Sequence, residues 1–428
     1  MIDPQARPVP YIKLMVFVVL LGLISALITF AFIALVHQGT RLLWEQAALA
    51  AGLDPRLFTF LVCTLGGLLV GLLVKAFGDH SGIFAEIMQE FGRTGRFDYH
   101  NAPGIVVTAF VSLVSGASLG PEAPLADACG GVGTWASDKL ALDGQEAQTM
   151  GYAGLSGMLA AFITNPLGGA LLGLESAHGS AVGRKAYFWV LFPSLLASAV
   201  ATVVFVMLSG SFFGRLYTFP DYTPRLIDLL LAVPLGLIGG LAGVLFMLTL
   251  RWLQKLMQPL KGRLVLRGLI GGVGMGLIGA LLPLTLFSGE AETLDLIQHA
   301  AEIGFWLLIV LGLVKLLATS LLLATGWKGG YIFPILFASV ALGLAANLLF
   351  PSIPTAVTVA ATMAGALVAA LKAPLFAALF TLVLVQAETA PVVAVAIVVS
   401  ALLTALLALR AARSAADLPQ TDLEVSHE

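Results

Sequence analysis

Glu122 is a carboxylate set among helix-breaking residues, in the run Gly120-Pro121-Glu122-Ala123-Pro124. The same Gly-x-x-x-Pro frame returns 210 positions later as Gly330-Tyr331-Ile332-Phe333-Pro334. Glycine frees the backbone, and proline suits the first turn of a helix, where its missing N–H has no partner to lose. Each frame therefore predicts a helix that starts within an apolar stretch. The first turn of a helix offers unpaired N–H groups and the positive end of the helix dipole, which together bind anions. Two such starts aimed at one point would hold a small anion without a fixed countercharge. Glu122 would then be the one mobile negative charge placed to compete with that anion.

The elements that must position these residues are membrane spans. The chain is 59% hydrophobic and 11% charged, with a mean hydropathy of +0.99; soluble domains carry roughly 25% charged residues. Apolar runs at 14–36, 226–250, 303–324 and 392–409 are near the ~20 residues that cross a bilayer. They predict an all-α polytopic protein with six or more spans in a lipid bilayer. The 46 glycines predict closely packed helices. A net charge of −2 offers nothing to nucleic acid. Cys63 and Cys129 lie in apolar segments and read as core thiols, and six scattered histidines provide no metal spacing. Neither a metal nor a cofactor is expected. The first apolar run is long and lacks a small-residue cleavage site, so it reads as a retained span.

Four pieces of the chain recur in order. Leu21-Gly22-Leu23-Ile24 returns as Leu235-Gly236-Leu237-Ile238, and Gly66-Gly67 with Gly71 as Gly271-Gly272 with Gly276. Gly120, Pro124 and Gly133 map onto Gly330, Pro334 and Gly343. Gly157 with Pro166-Leu167 maps onto Gly365 with Pro374-Leu375. A duplicated chain with interrupted apolar segments at matching places is the pattern of an inverted-repeat transporter. The expected halves are 1–220 and 221–410, followed by a short polar tail at 411–428 without a regulatory domain. The loop at 38–56 balances Arg41 and Arg56 with Glu45 and Asp54, whereas its counterpart carries Arg251, Lys255, Lys261, Arg263 and Arg267 with no acid. The positive-inside rule puts the second loop in the cytoplasm and leaves the first free to be outside. Arg7 and Lys13 place the N-terminus inside, and the C-terminus is expected there too. The compact chain suggests a bacterial inner membrane.

Assembled this way, the motifs resemble those of the CLC family of chloride channels and chloride/proton antiporters, over about residues 14–409. His80-Ser81-Gly82-Ile83 is similar to the family's G-S-G-I-P turn, and Gly120 to Pro124 to its G-R/K-E-G-P. Gly329 to Pro334 resembles G-G-x-F-x-P, and the run from Gly157 to Glu175 resembles the family's A-P-L-A-G helix ending in glutamate. The resemblance implies an inverted-repeat bundle of tilted and broken helices, assembled as a homodimer with one pore per subunit. It implies an anion held by Ser81, Gly82, Ile83, Ala123, Tyr331 and Ile332, with Glu122 as the gate and Gly120, Pro124, Gly330 and Pro334 as its frame. It further implies proton transfer as one outcome, with Glu175 as the inner group. Departures are also plain. Pro121 stands in the place of a basic residue, Phe84 in that of a proline and Ser176 in that of the antiporters' inner glutamate, and no tyrosine follows Tyr331.

Blander readings stand beside these. Glu122 could cap its helix, Ser81 could serve only a turn, and Glu175 could be a solvated helix end. Asp127, in the helix begun by Glu122, could pair with a base, face water or join transport. Lys315 and Lys372 read as lysines that satisfy buried carbonyls or snorkel, and Tyr331 either packs or turns its hydroxyl to the site. Chloride is the first expectation for the substrate, as antiporter or passive channel; fluoride or nitrate is the alternative. A membrane-embedded enzyme is the rival of another class. The chain shows no activated nucleophile or His/Asp pair at useful spacing to support one.

Overall fold

The computed structural model describes residues 10–80, 82–176, 186–210 and 217–416. Ser81 lies outside the described residues, as does the part of the polar tail from 417 on. Among the described residues the chain is helical throughout, with one isolated β-bridge and no strand. Eight helices are long and apolar enough to cross a bilayer, from Tyr11–Ala51 to Ala387–Arg410. Their outward faces carry Leu65, Leu72, Leu241, Leu248, Trp306, Leu402 and Leu406, all exposed. Such a surface suits lipid and not water. The fold is an all-α integral membrane bundle.

Residues 38–56, expected as a loop, are largely helical. The Tyr11–Arg41 helix runs on through a π-helical turn at Leu42–Ala47 to Ala51. Gly39 is carried within the helix and no proline occurs between 38 and 51, so the chain stays helical until Gly52, whose φ of 58° ends it. Asp54 then caps the Pro55–Phe77 helix by accepting from the N–H groups of Arg56 and Leu57.

Small residues set the packing. In the first half, Gly22 of Tyr11–Arg41 lies on the Ala197 backbone, and Gly133 lies on that of Met150. In the second, Gly239 of the Leu226–Met257 helix meets the Thr362 carbonyl, and Gly343 meets Val359. Pieces of the chain whose sequences recur also touch one another. Gly67 of Pro55–Phe77 packs on Gly272 of Leu264–Leu281. Gly120 forms its bridge with Gly330. The short Pro166–Ser176 and Pro374–Leu384 helices lie against each other. Thr164 and Lys372, at matched helix ends, both take the left-handed conformation, at φ 46° and 56°. Each turns the chain into the short helix that follows.

Candidate anion site

The two glycine frames meet. Gly120 N–H donates to the Gly330 carbonyl at 2.8 Å, and Gly330 N–H returns the bond at 2.5 Å. This antiparallel pair joins the start of the Glu122–Lys139 helix to that of the Ile332–Leu349 helix. Pro124 and Pro334 sit in the first turns, where no intrahelical N–H is required. Both helices therefore begin in the buried middle of the molecule, with their unpaired N–H groups close together.

Glu122 fills the space between them. Its side chain folds back over the bridge, so that a Cβ on either Gly120 or Gly330 would collide with its carboxylate. Oε1 accepts from the Phe333 N–H at 3.1 Å. The amides of Ile332 and of Glu122 itself also face the carboxylate. The residue is 1% exposed, and Oε2 has no hydrogen-bond partner. Among the described residues no cation pairs with it. Among the described residues, this buried carboxylate is therefore held by N–H groups and helix dipoles alone. That environment is suited to an anion, and here the anion is tethered.

The other expected ligands lie around this point. Ala123, Tyr331 and Ile332 are buried at the two helix starts. Gly82 and Ile83 precede the Phe84–Thr94 helix, whose first bonds run to the Ile83 carbonyl at 3.0 and 3.1 Å. The Tyr331 ring packs on Phe246 at 5.2 Å, and its buried hydroxyl lacks a hydrogen-bond partner. That hydroxyl is turned to the amide of Ala85, in the first turn of the Phe84–Thr94 helix. A third helix start is thus brought beside the first two. Ser81, expected to add its own hydroxyl here, lies outside the described residues.

Two cavities are lined by residues close to the bridge in the chain. One, of about 410 Å³, reaches Leu119 and Pro121 and is lined by His37, Ser288, Glu290 and Glu292. The other, also about 410 Å³, reaches Gly82, Ile83 and Lys328, and opens past Arg267 and Lys261. Lys328 was not singled out by sequence, and Arg267 only as one of the basic loop residues. Lys328 is 4% exposed, donates to the His80 carbonyl and lies 3.8 Å from Asp79. Arg267 pairs with Asp79 at 2.7 Å. A lysine two residues before a glycine frame was the available signal. Phe333 was missed as well: the amide that holds Glu122 lies one residue beyond Ile332.

Two further residues take definite places. Lys315 is fully buried and donates to the carbonyls of Thr285, Leu286 and Phe287 at 2.9–3.0 Å, as expected of a lysine that satisfies buried carbonyls. Glu175 accepts from the N–H groups of Leu375 and Phe376 at 2.7 and 2.9 Å, capping the Pro374–Leu384 helix across the two halves. Cys63 and Cys129 are buried free thiols.

Comparison with known proteins agrees with this architecture. A protein of Escherichia coli (strain 55989 / EAEC) named "Putative ion-transport protein YfeO" is 28% identical over 368 residues, 84% of either chain. A slow cyanobacterial Cl-/H+ antiporter matches in structure with a TM-score of 0.80 at 22% identity, covering 96% of this chain and 100% of its own. A CLC-type fluoride/proton antiporter matches with a TM-score of 0.75 at 19% identity, covering 91% and 94%. These two likenesses show the fold. The sequence profile described as "Voltage gated chloride channel" matches residues 66–405, most of the chain. The chain belongs to the voltage gated chloride channel family, whose members move anions across membranes and are not enzymes.

Proposed function

We propose that this chain moves a small anion, chloride first, through a pore gated by Glu122. The observation that carries this reading is the Glu122 carboxylate lying on the N–H groups of two helix starts, with two cavities lined by residues within two positions of Gly120 and Gly330. An ion there would take its ligands from Ala123, Tyr331, Ile332, Gly82 and Ile83, with the Ser81 hydroxyl added. Dipoles without a full countercharge bind weakly enough to release, as throughput requires. Protonation removes the attraction of Glu122 for these N–H groups and lets an external anion replace it. Flux then depends on external pH. The resemblance offers Glu175 for proton uptake on the inner side, at a helix cap that its protonation would break.

The two halves, 1–220 and 221–410, are read as inverted repeats about a pseudo-two-fold axis. The contacts of Gly67 with Gly272 and of Gly120 with Gly330 support this, since residues on such an axis meet their own counterparts. Assembly as a homodimer follows from the resemblance.

The test is efflux of radiolabelled chloride from vesicles reconstituted with the purified protein, with and without a proton ionophore. Fluoride and nitrate serve as competitors and rank the anions. Glu122→Gln is expected to keep anion flux, to abolish its pH dependence and to stop any coupled proton movement. Coupled proton movement that persists unchanged in this variant removes Glu122 from the gate.

A further inference from the structure

Asp127 lies five residues beyond Glu122 on the Glu122–Lys139 helix. It is 7% exposed, and its Oδ2 has no hydrogen-bond partner among the described residues. A buried carboxylate without donors opposes folding when charged. Cap or ion-pair duty does not explain it, since it forms neither among the described residues.

Asp127 lines a cavity of about 430 Å³ together with Glu86, Glu90, Asp98, Asn101 and Arg96, the last of which pairs with Asp138. This cavity shares His80 and Glu86 with the one at Lys328, so both belong to the face of the basic loop. The charges that face Asp127 are Asp98, Glu90 and Lys328. Of the helices packed on it, Ala102–Val114 carries no ionisable residue. Tyr11–Arg41 meets this helix through Ser25, beside Cys129. Gly144–Ile163 carries Glu146 in its first turn and Tyr152, which packs on Phe91. Two acids and one lysine therefore set the field at a carboxylate with a free oxygen. The acids do not form a cation cage: among the described residues no three His, Cys, Asp or Glu are grouped to hold a metal ion.

We propose that Asp127 is the inner proton acceptor of this transporter, exchanging protons with water in the acid-lined cavity and passing them toward Glu122. The assignment rests on the anion-transport reading and adds the proton route to it. A hydronium ion in the cavity gives one proton to Oδ2 and leaves as water. The neutral acid then releases that proton to water on the site side, returns to carboxylate, and the proton reaches the Glu122 carboxylate. Five residues of helix set the two groups ~7.5 Å apart along the axis and about 140° apart around it, so the proton passes round the helix through a chain of waters rather than straight across.

Proton movement driven by a chloride gradient, read with a pH electrode outside reconstituted vesicles, tests this. Asp127→Asn is expected to lower the protons moved per chloride at least tenfold while chloride efflux continues, and Asp127→Glu to restore them. Glu90→Gln with Asp98→Asn, at the exposed mouth, is expected to slow proton movement severalfold, and it keeps the test open should Asp127→Asn fail to fold. An unchanged proton-to-chloride ratio in Asp127→Asn, or in the mouth variant where only that one folds, overturns the proposal. So does a loss of coupling confined to Glu175→Gln, or proton movement that requires sodium. Wild-type chloride efflux without proton movement overturns it and leaves anion transport standing. Absence of any anion flux in the wild type strikes the broader reading instead.

Discussion

At position 330 a single methyl group would occupy the space now filled by the Glu122 carboxylate. The two glycines of the bridge are therefore needed for the side chain above them as well as for the backbone. Gly330→Ala is expected to push the carboxylate off the N–H groups of Ile332 and Phe333. Chloride efflux should then lose most of its dependence on external pH, as in Glu122→Gln, though the acid itself is still present. Overpacking at such a site costs about 1–3 kcal/mol, so a modest fall in thermal midpoint should accompany it. Efflux that keeps the wild-type pH profile would mean the carboxylate does its work somewhere other than on this bridge. Tyr331 belongs to the same scale. Its hydroxyl is buried without a hydrogen-bond partner among the described residues and is turned to the Ala85 amide.

Elements are held in register by side chains that reach across them, and Lys315 is the clearest case. From the Phe305–Ala324 helix its ammonium gathers three consecutive carbonyls of the turn Thr285 to Phe287. Phe287 takes φ 56°, unfavourable for a residue with a side chain, and it also lines the cavity next to Pro121. Lys315→Met leaves three buried acceptors empty and releases that turn. A loss on the order of 3 kcal/mol is expected, seen as a lower thermal midpoint in detergent. Unchanged stability would show that water satisfies the carbonyls equally well. The lysine's role was legible in the sequence, because an ammonium in an apolar run must find oxygen. The two frames were legible for a similar reason, as glycine and proline leave few options for the backbone. The long first helix was not, because Gly39 and the charges after it read as a loop and only the absence of proline between 38 and 51 speaks for helix. Lys328 and Asp127 were illegible as linings of two adjoining cavities: which face of a buried helix turns to water depends on packing that no local pattern records.

For the molecule as a whole, function requires that the two cavities open on opposite sides of the membrane. The cavity at Lys328 runs out past Arg267 and Lys261, in the stretch that carries five basic residues and no acid. The cavity at Pro121 lies toward His37, near the end of the first long helix where charges balance. Lys261 and Arg56 are both exposed, one at each of the two compared loops. Positive charge is retained on the cytoplasmic side because translocating it is costly. The native thiols are not expected to interfere, since Cys63 and Cys129 are both buried and out of reach of a bulky reagent. Arg56→Cys is therefore expected to react with a membrane-impermeant maleimide in intact cells. Lys261→Cys should react only after the cells are opened, with labelling several-fold above that of the unmodified chain. Labelling of both from one side would put the two cavities on a single face, and alternating or continuous passage past Glu122 would then have no route across the bilayer.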